Sequence, residues 1–219
     1  MEEFPVRVTE HGNGTCSLSV NIDFGLLTPD DLIALGMLAK RHGVTAMQPT
    51  PAKKISFVDV RLEEVSALWE DLQAVFGERL YMPQGKVIVC LGSRYCRLAV
   101  PGCDGYEAGA RVAEISRRHH AGKVKVGICA CPRGCTMPKV RDIGIFAAAR
   151  GWTVVFGGGA GIRPSTGTVI ATGLDEEALY TLVEKLYCYI ETFKKGKERS
   201  ACLLERMGEA HFRAWLEEH

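Results

Sequence analysis

Apolar and polar positions recur with two different periods along this chain. CSLSVNI at 16–22 carries an apolar residue at every second position, which predicts a strand with one buried face. VRV at 6–8 is a shorter run of the same kind, and Gly-Asn-Gly at 12–14 marks a turn between the two. The period then lengthens. Leu32, Leu35 and Ala39 form a helical stripe, with Thr28 suited to the N-cap, Pro29 to the first helical position and Asp31 to a capping box. Gly43 ends that helix. KISFVDV at 54–60 reads as a strand, and 62–76 as a helix with Val65, Leu68, Trp69 and Leu72 on one face.

GERLYMPQG at 77–85 reads as a linker, and KVIVC at 86–90 as a buried strand ending on a cysteine. A helix is expected over 105–119, with Ala108, Val112 and Ile115 inward, and a strand over 123–129 (KVKVGIC), again running into cysteines. IGIFAA at 143–148 and WTVVF at 152–156 predict a strand pair, followed by the glycine-rich loop GGGAG at 157–161. A long helix from Asp175 to about Lys194 carries Leu179, Leu182, Val183, Leu186 and Ile190. A last helix is expected over 200–217, with Leu203, Leu204, Met207, Phe212 and Trp215. The KKGKER run at 194–199 reads as a solvated helix end. No internal repeat or low-complexity tract interrupts the pattern. The order β-β-α-β-α over 1–80 is that of a ferredoxin-like, split βαβ module in which a fourth strand is not legible, and 81–219 reads as an α/β domain. The fold class expected is α+β.

Composition narrows the function classes. With 219 residues, 47% hydrophobic and 24% charged, the chain has enough apolar material for one compact unit or two small ones, and disorder is excluded. Lys and Arg number 27 against 26 Asp and Glu, so no bulk attraction to nucleic acid or anionic membrane is expected. No apolar run is long enough for a bilayer, and MEEFPVRVTE is acidic and mixed where a secretory signal is basic and apolar. The compartment expected is the cytoplasm. There the nine cysteines, an odd number, do not read as a disulfide framework. Cys90, Cys96, Cys103, Cys129, Cys131 and Cys135 are gathered in one stretch, whereas Cys16, Cys188 and Cys202 are isolated and read as core.

Within that stretch, Cys90-x5-Cys96 and Cys131-x3-Cys135 form two pairs at the ends of two expected strands. A cubane iron–sulfur cluster needs thiolates at its corners, and two paired loops supply them. Zinc prefers tighter pairs than x5. Pro132 stiffens the second loop and Gly134 permits close backbone approach. The competing reading, four inert buried thiols, does not account for two spaced pairs at strand ends.

These residues carry a resemblance. C-x5-C followed by Cys131-Pro-Arg-Gly-Cys135, with Lys123-Val-Lys125 before it and GGGAGIRP after it, is similar to the iron–sulfur and sirohaem half of the nitrite and sulfite reductase family. The first eighty residues resemble that family's ferredoxin-like half-domain, so the resemblance covers nearly the whole chain, as one copy of a unit that larger members carry twice. It looks like the small, single-copy assimilatory type. The resemblance implies six-electron reduction of sulfite or nitrite at a sirohaem coupled to a [4Fe–4S] cluster. Cys90, Cys96, Cys131 and Cys135 would hold the cluster, and Cys135 would also reach the sirohaem iron. Lys123 and Lys125 would bind the oxyanion and supply protons; as alternate residues of a strand they share a face, although an exposed strand face accounts for the pattern too. Arg94, Arg97, Arg133, Lys139, Arg141, Arg150 and Arg163 are candidates for the sirohaem carboxylates, and the glycines of 157–161, Gly158 and Gly159 among them, for backbone approach.

The chain departs from the family pattern at QPTPAKKI, 48–55, where an Arg-containing stretch is usual; Lys53 and Lys54 stand in its place, Lys54 as the better anion-binding candidate. Cys103 and Cys129 have no evident family role and are either buried or replacement ligands. The implied partners are the oxyanion, an external electron-donor protein and a possible second copy of the chain. Two other classes remain: an iron–sulfur electron-transfer protein without competent sirohaem chemistry, and a nucleotide-binding enzyme using GGGAG. The last is weak, since Ile162 stands where G-x-G-x-x-G needs its third glycine.

Overall fold

The computed structural model describes residues 7–80 and 86–219. The chain divides into two compact units, Met1–Met82 and Pro83–His219. In the first, β1 (Arg7–Glu10), β2 (Thr15–Val20), β3 (Ala46–Pro49) and β4 (Ile55–Arg61) form an antiparallel sheet in the order β1-β2-β4-β3. Alternation along β2 turns Cys16, Leu18 and Val20 inward, where they meet helices α1 (Pro29–Arg41) and α2 (Val65–Phe76). Both halves of the expected capping box form: the Asp31 amide donates to Thr28 Oγ1 (3.1 Å) and the Thr28 amide to Asp31 Oδ2 (2.8 Å). Arg79 grips the same Asp31 through both terminal nitrogens (2.8 and 2.7 Å), and this clamp holds the buried carboxyl well below the usual carboxylate range.

Three expectations change here. Leu32 is 54% exposed, and Leu38 takes its place beside Leu35 and Ala39, because the sheet receives the face centred one position further round the helix. The fourth strand exists as β3, an exposed edge strand whose sequence AMQP lacks alternation and whose Pro49 is tolerated only at an edge. QPTPAKKI is therefore a hairpin turn. Thr50 accepts from the Lys53 amide at its carbonyl and from the Lys54 amide at its hydroxyl, and its own amide donates to the Lys54 carbonyl. Of the expected linker, 77–79 form a short 3₁₀ turn and Leu80 bridges to Ile22; 81–85, like Val6 of the first strand, lie outside the described residues.

In the second unit, β5 (Lys86–Val89), β6 (Lys125–Cys129), β7 (Ile143–Ala148), β8 (Gly151–Phe156) and β9 (Thr168–Leu174) form one sheet in sequence order. The first three run parallel, β8 runs antiparallel to β7, and β9 runs antiparallel to β8. Helix α3 (Gly105–Arg118) crosses from β5 to β6, packed so closely that a Cβ on Gly109 would lie 2.0 Å from Val89 Cγ1. Helix α4 (Glu176–Phe193) and α6 (Glu209–Glu218) anchor on β8 through aromatic rings: Phe156 stacks on Phe212 at 4.8 Å, and Tyr189 meets both edge-on.

Here too the chain departs from expectation. β9 was not legible, because TVIATGL is a half-exposed edge strand without a buried stripe. The last helix is two, α5 (Ser200–Met207) and α6, broken at Gly208, whose φ of +84° no helix allows. Strand β6 starts at Lys125, so Lys123 precedes it. The 194–199 run is only partly solvated: Lys194 Nζ donates to the Ala121 carbonyl (2.6 Å), and Arg199 pairs with Asp142. Among the described residues, no helix is long and apolar enough to cross a membrane.

Candidate functional site

The ends of two adjacent parallel strands bring the cysteine loops together. β5 and β6 pair with Val89 opposite Ile128, so the next step of the register sets Cys90 beside Cys129. Side chains at paired positions share a face. The Cys90 amide donates to the Ile128 carbonyl (3.0 Å), and the Val100 amide to the Ala130 carbonyl (2.8 Å), which fastens the loop holding Cys96 to the loop holding Cys131. The Cys90 sulfur is surrounded by donors. The Ala130 amide reaches it at 3.2 Å and the Gly92 amide at 3.4 Å, and a Cβ on Gly105, the first residue of α3, would lie 3.4 Å away. Two amides aimed at one sulfur favour a thiolate there.

Cys131 is 7% exposed, Cys96 half-buried and Cys135 exposed. Gly134 takes φ +71° and turns the chain between them, with the Met137 amide donating to its carbonyl (2.7 Å). The donor set fits a multinuclear cluster bound from two loops: thiols only, with no histidine or carboxylate among 90–103 or 129–135. Among the described residues, no group of three or more His, Cys, Asp or Glu is spaced to chelate a single metal ion.

Cys129, unassigned from sequence, is buried. The Thr136 amide donates to its sulfur (3.3 Å) and Thr136 Oγ1 lies at 3.0 Å. Its hydrogen bond with Cys90, together with burial, pushes the thiol well above its ordinary range. Cys103 is also buried, and burial together with the Glu176 charge raises its thiol.

A charged node lies at the other end of β6. Asp142, 1% exposed, accepts the Lys125 amide (2.7 Å), the Ser200 hydroxyl (2.6 Å) and Arg199 Nε (3.0 Å), with a second Arg199 nitrogen closing the pair. It thereby fastens the start of α5 beneath the start of β6. Partial burial, then the charges of Arg199, Lys123 and Arg141, lower the Lys125 ammonium below the ordinary lysine range, against the pull of Asp142. Lys123 is exposed and Val124 buried between the two lysines. Arg141 is buried, donates Nε to the Thr136 carbonyl (3.1 Å), and has its affinity for the proton lowered by that burial. Neither Asp142 nor Arg199 carried a motif; nothing in the sequence marks this aspartate over the others.

Arg94, Arg97, Arg133, Lys139 and Arg163 are exposed on the loops that follow β5, β6 and β8. None makes an ion pair among the described residues; Arg94 lies over the Tyr95 ring at 5.3 Å. Arg150 is exposed in the β7–β8 hairpin. The glycine-rich loop is shaped by packing instead of by an open backbone. A Cβ on Gly158 would lie 2.5 Å from the Lys139 carbonyl oxygen, and Gly159 exchanges two hydrogen bonds with Ser165 (2.9 and 2.8 Å), so the Gly159 amide is already occupied. In the first unit, Lys54 is half-buried at the foot of the β3–β4 hairpin.

Comparison with known proteins gives the family. The family model described as nitrite and sulphite reductase 4Fe-4S domain matches residues 87–219, and the nitrite/sulfite reductase ferredoxin-like half domain matches 7–75. An assimilatory-type sulfite reductase of Nitratidesulfovibrio vulgaris is 29% identical over 185 residues, 84% of each chain. The nitrite reductase [NAD(P)H] large subunit of Klebsiella oxytoca is 32% identical over 82% of this chain, which spans only 19% of that subunit. The structure of the Mycobacterium tuberculosis NirA protein superposes with a TM-score of 0.77 at 20% identity, covering 95% of this chain and 41% of that one. The chain belongs to the nitrite and sulfite reductase family, oxidoreductases that bind a [4Fe–4S] cluster and sirohaem.

Proposed function

We propose that this chain reduces sulfite to sulfide, or nitrite to ammonia, at a sirohaem joined to a [4Fe–4S] cluster through one shared thiolate. Cys90, Cys96, Cys131 and Cys135 would hold the cluster, and Cys135, the exposed member, would also serve the sirohaem. When bound, the two groups together pass six electrons to the oxyanion, which takes up six protons as sulfite becomes sulfide and three waters. The observation that carries this reading is the Cys90 sulfur, ringed by the Ala130 and Gly92 amides at the start of α3 and held beside a second cysteine loop.

The chain's own residues do the rest. Lys123 and Lys125 bind the anion and hand on protons; the lowered proton affinity of Lys125 makes its ammonium a readier donor than a free lysine. Arg94, Arg97, Arg133, Arg141 and Arg163 meet the sirohaem carboxylates, with Lys139 beside them. Gly158 and Gly159 let the 139–141 and 165–167 segments close against the glycine-rich loop and so set where those cations stand. Lys54 is an anion-binding candidate within the first unit. The electron donor is an external protein, and the compartment is the cytoplasm.

Anaerobic iron and acid-labile sulfide analysis, with visible absorption, tests the reading. Native material is expected to show both cluster and sirohaem bands, and Cys135→Ala to lose the coupled spectrum and all sulfite-dependent oxidation of a reduced dye. Sulfite reduction retained in Cys135→Ala would overturn it. The hairpin turn at 48–55, with lysines where arginine is usual, favours a second reading, an electron-transfer protein with the cluster alone; a broad cluster shoulder without sirohaem bands is its signature.

A further inference from the structure

A second cluster of reactive side chains lies in the first unit, and the function proposed above makes no use of it. Ser17 leaves β2 on the face opposite Cys16 and Leu18, which are buried against α1 and α2. The β1–β2 hairpin closes through the turn 11–15, where the His11 amide donates to the Thr15 carbonyl (2.8 Å) and Gly14 takes φ +81°. Three contacts then fix where the protons of the His11 ring stand. The Thr15 amide donates to Asn13 Oδ1 (3.2 Å), which identifies that atom as the oxygen. The Thr15 hydroxyl donates to the same oxygen (2.8 Å) and so spends its single proton. His11 Nδ1 lies 3.2 Å from Thr15 Oγ1, which has only a lone pair left to offer, so Nδ1 carries the ring hydrogen. In the neutral ring Nε2 is then the acceptor, and the Ser17 hydroxyl donates to it at 3.0 Å.

Strand β4 supplies a carboxylate. Cys16 pairs with Val60 but Leu18 with Phe57, so Ser17 faces two residues of β4 and the strand bulges there. Asp59, at the bulge, takes φ +58°, in the left-handed region that aspartate tolerates. Its Oδ1 lies 3.9 Å from His11 Nδ1, and Thr45 Oγ1 donates to its Oδ2 (3.1 Å). A Cβ on Gly12 or Gly14 would meet nothing within 4 Å, so the turn beside the ring is unobstructed.

We propose that Ser17 is an activated nucleophile with His11 as its general base, and that the first unit hydrolyses small activated esters. Ser17 Oγ attacks the ester carbonyl, and its proton passes to His11 Nε2. The new Oγ–C bond replaces the bond to the alcohol, which leaves with the proton held on Nε2. Water, giving its proton to the same nitrogen, then attacks the acyl-serine; the carboxylic acid departs and the Ser17 hydroxyl is restored. Thr15 and Asp59 are positioning residues. Thr15 fixes the tautomer, and the Asp59 charge favours the imidazolium that forms in each step. No electrons are transferred, so this activity is separate from the reduction proposed above.

The test uses the full chain, with a fluorophosphonate as the probe for the nucleophile and p-nitrophenyl acetate as the ester. The fluorophosphonate is expected to label Ser17, located by peptide mass spectrometry, and hydrolysis of the ester is counted as the excess over Ser17→Ala. His11→Gln should slow both labelling and that excess on the order of 10²-fold. Thr15→Val, which keeps the shape and removes the hydroxyl, should slow both, and Thr15→Ser, which restores it, should recover them. The melting temperature reports that each variant is folded. No label on Ser17, no excess of ester hydrolysis over Ser17→Ala, or a label that forms as fast in His11→Gln or Thr15→Val as in the native chain, would overturn the proposal.

Discussion

The helical layer of the second unit and the loops at its strand ends treat charge in opposite ways. In the layer, cations are matched: Arg118 to Glu184 (2.7 Å), Arg111 to Glu114 (2.7 Å), Arg206 to Glu198 (2.8 Å) and Arg213 to Glu209 (2.6 Å). On the loops, Arg94, Arg97, Arg133, Lys139 and Arg163 have no carboxylate partner among the described residues. Two acids that follow these loops in the chain are engaged elsewhere. Asp104 caps α3 through the Tyr106 amide (2.7 Å) and takes the Ser93 hydroxyl (3.0 Å), while Asp142 is committed to Arg199 and Ser200. Matched charges serve the fold. Unmatched cations on the cysteine-bearing loops are the groups that the proposed sirohaem carboxylates would meet.

Substitutions on the two sides should therefore separate activity from stability. The largest effect belongs to Lys125→Ala, at the start of β6. Sulfite-dependent turnover should fall on the order of 10²-fold, with cluster and sirohaem absorption retained. Unchanged kinetics would remove the lysine from the site.

Asp142→Ala comes next. It leaves Arg199 without its carboxylate and the Lys125 amide without an acceptor, and should cost about 3 kcal/mol in chemical denaturation. That node belongs to both sides, so the same variant should also weaken turnover by misplacing Lys125.

His119 sharpens the contrast through pH. It caps α3, and its two ring nitrogens meet Glu191 (2.6 Å) and Glu184 (2.8 Å), seven residues apart on α4. Burial alone would lower its pKa, but the hydrogen bonds and charges of Glu191 and Glu184 outweigh it and the net shift is upward. A pKa raised on folding gives stability that is fully present below the unfolded value, near 6.5, and is lost as pH rises through the higher folded value. The melting-temperature gap between native protein and His119→Gln should thus be widest near pH 6 and narrow toward pH 8, with about 1–2 kcal/mol at its widest. A gap independent of pH would mean that the imidazole acts as a neutral spacer. His42, at the C-terminal cap of α1, meets Glu64 (2.9 Å), the residue just before α2, and Asp71 (3.0 Å), within α2.

The smallest stability effects belong to the exposed loop arginines. Arg97→Ala and Arg133→Ala should change stability by less than about 0.5 kcal/mol, since no ion pair is lost, while lowering the amount of sirohaem retained on purification. A clear loss of stability with full sirohaem content would reverse their assignment.

Much of this was legible from local pattern. The capping box at Thr28 and Asp31, the buried faces of α2 and α3, and the strand ends that carry Cys90 and Cys131 follow from spacing and side-chain type, which act over a few residues. The edge strands β3 and β9 were not, because an edge buries little and so imposes no alternation. Gly208 was read as helix because apolar positions continue in phase on either side of it. The occupied Gly159 amide escaped notice because its partner Ser165 lies across a turn.

The sequence by itself determined the kind of chemistry: two thiol pairs at strand ends, a K-x-K run and a surplus of loop arginines, each set by residue identity. Only the tertiary structure decided which groups are spent and which stay available. It placed Cys129 against Cys90 through the β5–β6 register, buried Asp142 under Arg199, and left the loop cations unmatched. The reason is range. Propensity and period act along the chain, whereas a hydrogen bond or ion pair joins residues that only folding brings within about 3 Å of one another.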